Sequence, residues 1–221
     1  MNAVDLRLYA LVDPQRAGRH ALSDLAARVV AGGATLVQLR DKSGETKRMI
    51  EDARAIRAAL AGSRVPFLVN DRVDVALAAG ADGVHIGWDD MRAEDARRLL
   101  GPKAIIGLSI NSAERARTAP LAMLDYVCIG GVFATMSKDN PNSPIGVNGA
   151  RALAEIVRAR APGMPVGAIA GIDTSNAASV MAAGFDGVAI ISALSMTPDP
   201  AAAARELRSI VDAAQREEAS G

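Results

Sequence analysis

In this 221-residue chain, the side chains best suited to chemistry sit in short stretches that each follow a β-branched run. Gln38-Leu39-Arg40-Asp41-Lys42 holds two cations at alternate positions. In an extended segment alternate residues share a side, so Arg40 and Lys42 project toward one anion. A planar guanidinium fork beside a mobile ammonium suits a phosphate or diphosphate. Asn70-Asp71 and Asp89-Asp90 bring carboxylates. Asp71 and Asp90, completed by ligand oxygens and water, would make a Mg²⁺ site, because Mg²⁺ seldom uses an all-protein cage. Lys138, in Thr135-Met136-Ser137-Lys138, adds a further cation, and Ser109 ends another run. Ala170-Gly171-Ile172 and Ile191-Ser192-Ala193 are small-residue turns whose backbone N–H groups suit a second phosphate. Each feature alone has a plain reading: a solvated rim charge, a helix cap at Asp71, an ordinary turn. Gathered in one place, the cations and carboxylates fit a metal-bound diphosphate better than caps do.

Gathering them is the work of the elements. Candidate strands are Leu8–Val12, Thr35–Arg40, Pro66–Asn70, Gly83–Ile86, Ala104–Ser109, Tyr126–Gly130, Pro165–Ala170 and Gly187–Ile191. Amphipathic helical stretches such as Leu22–Val30, Thr46–Leu60, Ala150–Arg160 and Ser175–Ala183 lie between them. Unbroken alternation predicts a parallel sheet with helices outside it, at about 28 residues per strand–helix unit. Ala31-Gly32-Gly33-Ala34-Thr35, Ala79-Gly80-Ala81-Asp82-Gly83 and Ala183-Gly184-Phe185-Asp186-Gly187 repeat one grammar, a glycine helix stop followed shortly by a strand. The expectation is an α/β, single-domain (β/α)₈ (TIM) barrel spanning residues 1–221, with its working face at the C-terminal strand ends. A doubly wound open sheet is the alternative, but no Gly-rich dinucleotide turn opens the chain. Ala134–Val147 is the one long irregular stretch and is read as an active-site lid, while the polar tail Gln215–Gly221 is expected to fray.

Composition narrows the classes. Lys+Arg and Asp+Glu balance at 25 each, which offers no basic face for nucleic acid and no polybasic membrane patch. With 50% hydrophobic residues the chain is not disordered, and no 18-residue apolar run or basic-then-apolar leader is present, so a soluble cytoplasmic protein is expected. Small molecules are the expected partners, with homo-oligomer formation left open. The single cysteine, Cys128, falls inside an apolar strand and reads as a small buried hydrophobe. His85 in strand 4 and His20 before helix 1 read as hydrogen-bonded structural residues, and no histidine stands near Ser109 in sequence. Trp88 either stacks on a ring or covers the rim.

Taken in order, Gln38-Leu39-Arg40-Asp41-Lys42, Val69-Asn70-Asp71, His85-Ile86-Gly87-Trp88-Asp89-Asp90, Gly107-Leu108-Ser109, Thr135-Met136-Ser137-Lys138, Pro144-Ile145-Gly146, Ala168-Ile169-Ala170-Gly171-Ile172 and Val188-Ala189-Ile190-Ile191-Ser192 resemble the thiamine-phosphate synthase family. The resemblance spans nearly the whole chain. It implies a (β/α)₈ barrel transferase that joins 4-amino-2-methyl-5-hydroxymethylpyrimidine diphosphate to 4-methyl-5-(2-hydroxyethyl)thiazole phosphate with Mg²⁺, releasing diphosphate by dissociative substitution. On this reading Arg40, Lys42, Lys138 and Ser109 meet the leaving diphosphate, and Gln38 and Asn70 orient the pyrimidine. Thr135, Ser137 and the backbone at Gly171, Ile191 and Ser192 anchor the thiazole phosphate. Asp71 and Asp90 hold the metal. The chain departs from the family pattern at Trp88 (usually Gln), Ala134 (Pro), Ser137 (Thr) and Ala170 (Gly). Two relatives of the same barrel stand as alternatives. A thiazole tautomerase is expected to use histidine where Asn111 stands, and a non-catalytic thiamine-pathway sensor would not need the full set of charges.

Overall fold

The computed structural model describes residues 4–135 and 143–218. Eight parallel strands close into a barrel in chain order: β1 Leu8–Val12, β2 Leu36–Leu39, β3 Phe67–Asn70, β4 Gly83–Ile86, β5 Ile105–Ile110, β6 Tyr126–Ile129, β7 Val166–Ile169 and β8 Gly187–Ile190. Ladders run between every consecutive pair, and β8 pairs back onto β1 at Leu8↔Val188. Among the described residues the surrounding helices are α1 Leu22–Ala31, α2 Thr46–Ala59, α3 Val73–Ala79, α4 Ala93–Leu100, α5 Ala113–Thr118, α6 Gly146–Arg160, α7 Ala177–Met181, the single turn α8 Ser192–Ser195, and α9 Pro200–Glu218.

Two periodicities build this arrangement. Along each strand alternate residues face the barrel axis: Tyr9 and Leu11, Leu36 and Gln38, Leu68, Tyr126 and Cys128 form the inner cluster. The intervening residues, such as Leu8, Ala10, Val12, Val37, Leu39, Val127 and Ile129, form the outer layer against the helices. The helices bury one stripe each, for example Leu25, Ala26 and Val29 on α1 and Met49, Ala53 and Ile56 on α2. α9 closes the ring beside α1 so tightly that a Cβ on Gly32 would lie 2.4 Å from the carbonyl oxygen of Ala201.

The repeated helix-stop grammar has a structural counterpart. Gly80 and Gly184 turn with φ of +69° and +83°. Just beyond, Asp82 and Asp186 accept the N–H groups of Phe67 and Val166 at 2.8 Å, each tying the foot of an even strand to the strand before it. Asp125 does the same for Ile106 (2.8 Å), and Thr35 Oγ1 for Leu8 (3.1 Å).

Strand boundaries agree with the sequence reading to within one residue at each end. Two helices differ by more. α7 spans Ala177–Met181 rather than Ser175–Ala183, because Asp173 draws Ser175 into a local turn through its Oδ1 (2.8 Å from Ser175 N). α6 begins at Gly146, before the expected Ala150. Its start is clipped to the end of β6 by Ile145 N to Gly131 O (2.9 Å) and Gly146 N to Val132 O (3.0 Å). α9 runs to Glu218, with Gln215 Nε2 donating to Asp186 O at 3.2 Å, and the rest of the tail expected to fray lies outside the described residues. The proposed lid, Ala134–Val147, lies in large part outside the described residues, with Ser137 and Lys138 among those not described. Among the described residues no helix is long and apolar enough to cross a membrane.

Candidate active site

Because side chains alternate, the last inward position of several strands reaches the C-terminal mouth. There a cavity of about 350 Å³ is lined by Gln38, Arg40, Lys42, Asn70, Asp71, Asp90, Ser109, Thr135 and Ile191, together with His85, Trp88 and Ala170. That volume suits one small ligand or the reacting parts of two. Nine of the expected site residues therefore meet in one space. Gly171 and Ser192 stand next to lining residues in sequence but are not themselves in the wall. Gly171 (φ +65°) packs so closely that a Cβ would fall 2.3 Å from Ala134 O, which joins the end of β7 to the loop after β6.

The two cations are not free. The Arg40 guanidinium pairs with Asp13, whose carboxylate is almost wholly buried and also accepts Gln15 N at 2.8 Å. Lys42 Nζ pairs with Asp71. Asp13 follows β1 directly and so stands on the same rim, a position the sequence inventory passed over by starting at β2. Its effect is to hold Arg40 in one place, which favours a preorganised charge over a mobile one.

Asp71 takes a left-handed backbone (φ +61°), unusual for a residue with a side chain, and its N–H donates to His85 O at 2.8 Å. Such strain is retained at functional sites more often than elsewhere. Asp90 Oδ2 accepts Gly87 N at 2.8 Å, which brings this carboxylate back over the end of β4 toward Asp71. Burial and the neighbouring Asp90 push the Asp71 carboxyl up to about 6, against the pull of Lys42. Two carboxylates thus face each other at the rim. Their all-oxygen donor set, with room for ligand oxygens beside it, fits Mg²⁺. No group of three or more potential ligands exists among the described residues, so an all-protein cage is excluded there.

Below the mouth runs a chain of polar contacts that sequence reading did not foresee. His85 bridges Tyr126 and Ser109, with Nδ1 2.9 Å from Tyr126 Oη and Nε2 2.9 Å from Ser109 Oγ. Proximity in sequence offers Ser109 no histidine; the register of β4 against β5 supplies one. His85 is thus the hydrogen-bonded strand residue expected, and burial pushes it down to about 4, so it is neutral near pH 7. Cys128 is buried as expected, and burial pushes its thiol up to about 12. Gln38 Nε2 donates to Tyr9 Oη at 2.6 Å, while Gln38 Oε1 is buried without a partner among the described residues. At the rim Arg115 lies 5.3 Å over the Trp88 ring and donates to Asn111 Oδ1 at 3.0 Å. Trp88 therefore both covers the rim and carries a stacked cation.

A closed parallel barrel whose mouth combines paired carboxylates with fixed cations belongs to the phosphate-handling (β/α)₈ class. The family is more specific. A family model described as thiamine monophosphate synthase matches residues 8–194. A thiamine-phosphate synthase of Agrobacterium fabrum is 53% identical over 214 residues, covering 97% of each chain. One from Moorella thermoacetica is 43% identical, covering 94% of this chain and 97% of its own. The solved thiamine phosphate pyrophosphorylase of Pyrococcus furiosus superposes with a TM-score of 0.82 at 36% identity, covering 96% of this chain and 98% of that one. A 3-hexulose-6-phosphate synthase (TM-score 0.66, 20% identity) shares the fold alone. The chain belongs to the thiamine monophosphate synthase family.

Proposed function

We propose that the protein joins 4-amino-2-methyl-5-hydroxymethylpyrimidine diphosphate to 4-methyl-5-(2-hydroxyethyl)thiazole phosphate, releasing diphosphate by a dissociative substitution. The observation that carries this reading is the meeting, in one cavity, of the Asp71–Asp90 pair with Arg40, Lys42 and Gln38 Oε1, which has no partner among the described residues. A buried acceptor with no donor of its own is costly unless a ligand supplies one, and the 4-amino group of the pyrimidine is such a donor. Asn70, on the adjoining wall, gives the ring a second polar contact.

Breaking the C–O bond leaves positive charge on the pyrimidine methylene and a highly charged leaving group. Arg40, fixed by Asp13, and Lys42 place positive charge where negative charge grows, so they act more strongly in the transition state than in the ground state. Ser109 contributes a hydroxyl contact, and Lys138 a third cation carried on the segment after Thr135. A magnesium ion held by Asp71 and Asp90 would neutralise the leaving diphosphate, an effect worth several kcal/mol. The cation formed is open to capture by water, so the site must be dry, and closure of the Ala134–Val147 loop is the device we assign to that. Thr135, Ser137 and the backbone at Gly171, Ile191 and Ser192 hold the thiazole phosphate so that its ring nitrogen faces the methylene, which supplies the entropic part of the acceleration. No protein nucleophile is needed. A tautomerase would need a titrating group at Asn111, whose Oδ1 is instead taken up by Arg115.

The test is diphosphate release by the purified protein. Release is expected only with both substrates and Mg²⁺ present. Release from the pyrimidine diphosphate alone, or none with both, would overturn the assignment.

A further inference from the structure

Four hydrogen bonds link five side chains from Gln38 across the barrel axis to Ser109. After Gln38 Nε2 to Tyr9 Oη (2.6 Å), Tyr9 Oη and Tyr126 Oη are 2.9 Å apart. Tyr126 Oη then meets His85 Nδ1 at 2.9 Å, and His85 Nε2 meets Ser109 Oγ at 2.9 Å. The barrel is built around this line. Gly107 stands opposite Tyr126 in the ladder, and a Cβ there would lie 2.1 Å from the Tyr126 ring. Tyr9 packs edge-on against Tyr126, ring centroids 5.8 Å apart.

With the Gln38 amide donating through Nε2, the direction of each further bond follows from counting hydrogens. A phenol has one. Tyr9 accepts from the Gln38 amide, so its own hydrogen goes on to Tyr126. Tyr126, having accepted, gives its hydrogen to His85 Nδ1. Burial keeps both phenols protonated, and a ring whose Nδ1 accepts carries its only hydrogen on Nε2. That hydrogen goes to Ser109 Oγ. Ser109 Oγ has no other hydrogen-bond partner among the described residues, and Ser109 lines the cavity.

We propose that Tyr9, Tyr126 and His85 form a one-way relay that fixes Ser109 as a donor and Gln38 Oε1 as an acceptor, both toward the ligand. The three residues are positioning residues. The serine–histidine pair resembles an activated nucleophile, but here the histidine nitrogen facing serine already holds a proton and cannot take another from it. The relay instead demands a ligand with a hydrogen to give at the Gln38 end and an anionic oxygen at the Ser109 end. Naming those as the pyrimidine amino group and the diphosphate rests on the function proposed above; the direction of the relay does not.

The protein has two histidines, so nitrogen NMR of the ¹⁵N-labelled chain resolves them, with His20→Gln giving the assignment. Ligand-free at pH 7, His85 is expected with Nε2 protonated and Nδ1 bare. An Nδ1–H tautomer, which is the chain running the other way, or an imidazolium overturns the relay. Kinetics supply the second readout. Tyr126→Phe frees Nδ1 to take the hydrogen and lets Ser109 turn its own inward, so kcat/KM for the pyrimidine diphosphate should fall about tenfold. The KM for the thiazole phosphate should stay within about twofold, and in a Ser109→Ala background the same change should cost less than about threefold. Equal losses toward both substrates, or full additivity with Ser109→Ala, would reduce Tyr126 to a packing residue and overturn the proposal. The tautomer is read without substrate, so it stands or falls separately from diphosphate release.

Discussion

Replacing Ala170 by glycine should stabilise the protein, against the usual sign of such a change. Ala170 follows β7 with φ of +99°, a region that residues with a Cβ rarely adopt. It is held there because Phe133 N donates to its carbonyl at 3.0 Å and because Gly171 beside it packs onto Ala134. Strain of this kind costs about 1–3 kcal/mol. Glycine relieves it but gives up roughly 0.5–1 kcal/mol to the greater freedom of the unfolded chain. A net gain of about 1 kcal/mol remains, which for a domain of this size raises Tm by about 2–4 °C. The control is Ala168→Gly two residues earlier, where the methyl is fully buried in β7 and φ is not positive. There the entropy cost and the lost packing add, and stability should fall by about 1 kcal/mol or more. Urea unfolding of all three proteins, with the m-value checked for constancy, reads both signs. An Ala170→Gly protein no more stable than its parent would refute the strain argument, and with it the view that this departure from the family pattern carries a conformational cost.

The metal-free protein should show a pH signature from Asp71. Its carboxyl is raised from 3.8 to about 6, so between those values the folded state binds the proton more tightly than the unfolded one. Stability from this group is therefore greatest below that window and is lost as pH rises through it, and the stability difference between Asp71→Asn and the parent should shift in the variant's favour between pH 4.5 and 6.5. A difference that is flat with pH would show that Asp71 titrates normally. Asp90→Asn should raise the Mg²⁺ concentration for half-maximal activity at least tenfold, by analogy with the loss on disturbing metal-site partners; an unchanged requirement would remove Asp90 from the metal site. Gly107→Ala forces a methyl against the Tyr126 ring, 2.1 Å from where its carbon now lies, so thermal unfolding should show a loss of about 1–3 kcal/mol; a neutral result would mean the ring is free to move.

Local patterns made the scaffold legible. Apolar runs such as Leu8–Val12 and Tyr126–Ile129 announce strands, and the glycine stops before Asp82 and Asp186 mark where strands begin. Charges at the ends of those strands, Arg40, Lys42, Asp71 and Asp90, were placed on one rim by the barrel's geometry alone. What escaped were the partners that arrive from other strands. Asp13 and Arg40 are 27 residues apart, Ser109 and His85 are 24 apart, and Tyr9 and Tyr126 are 117 apart. Register between strands, which no local pattern states, decides each of these contacts. Tyr9 and Tyr126 are core residues by burial; only their hydroxyls, meeting at the axis, make them part of the site. The strain at Ala170 was likewise hidden, since a β-strand reading gives no sign of the positive φ that follows the strand's last residue.

A crystal structure with magnesium and inorganic diphosphate tests the central electrostatic claim most directly. The diphosphate is expected in the mouth against Arg40, Lys42 and Ser109, with the metal between Asp71 and Asp90. Diphosphate bound at another place, or absent at saturating concentration, would contradict it.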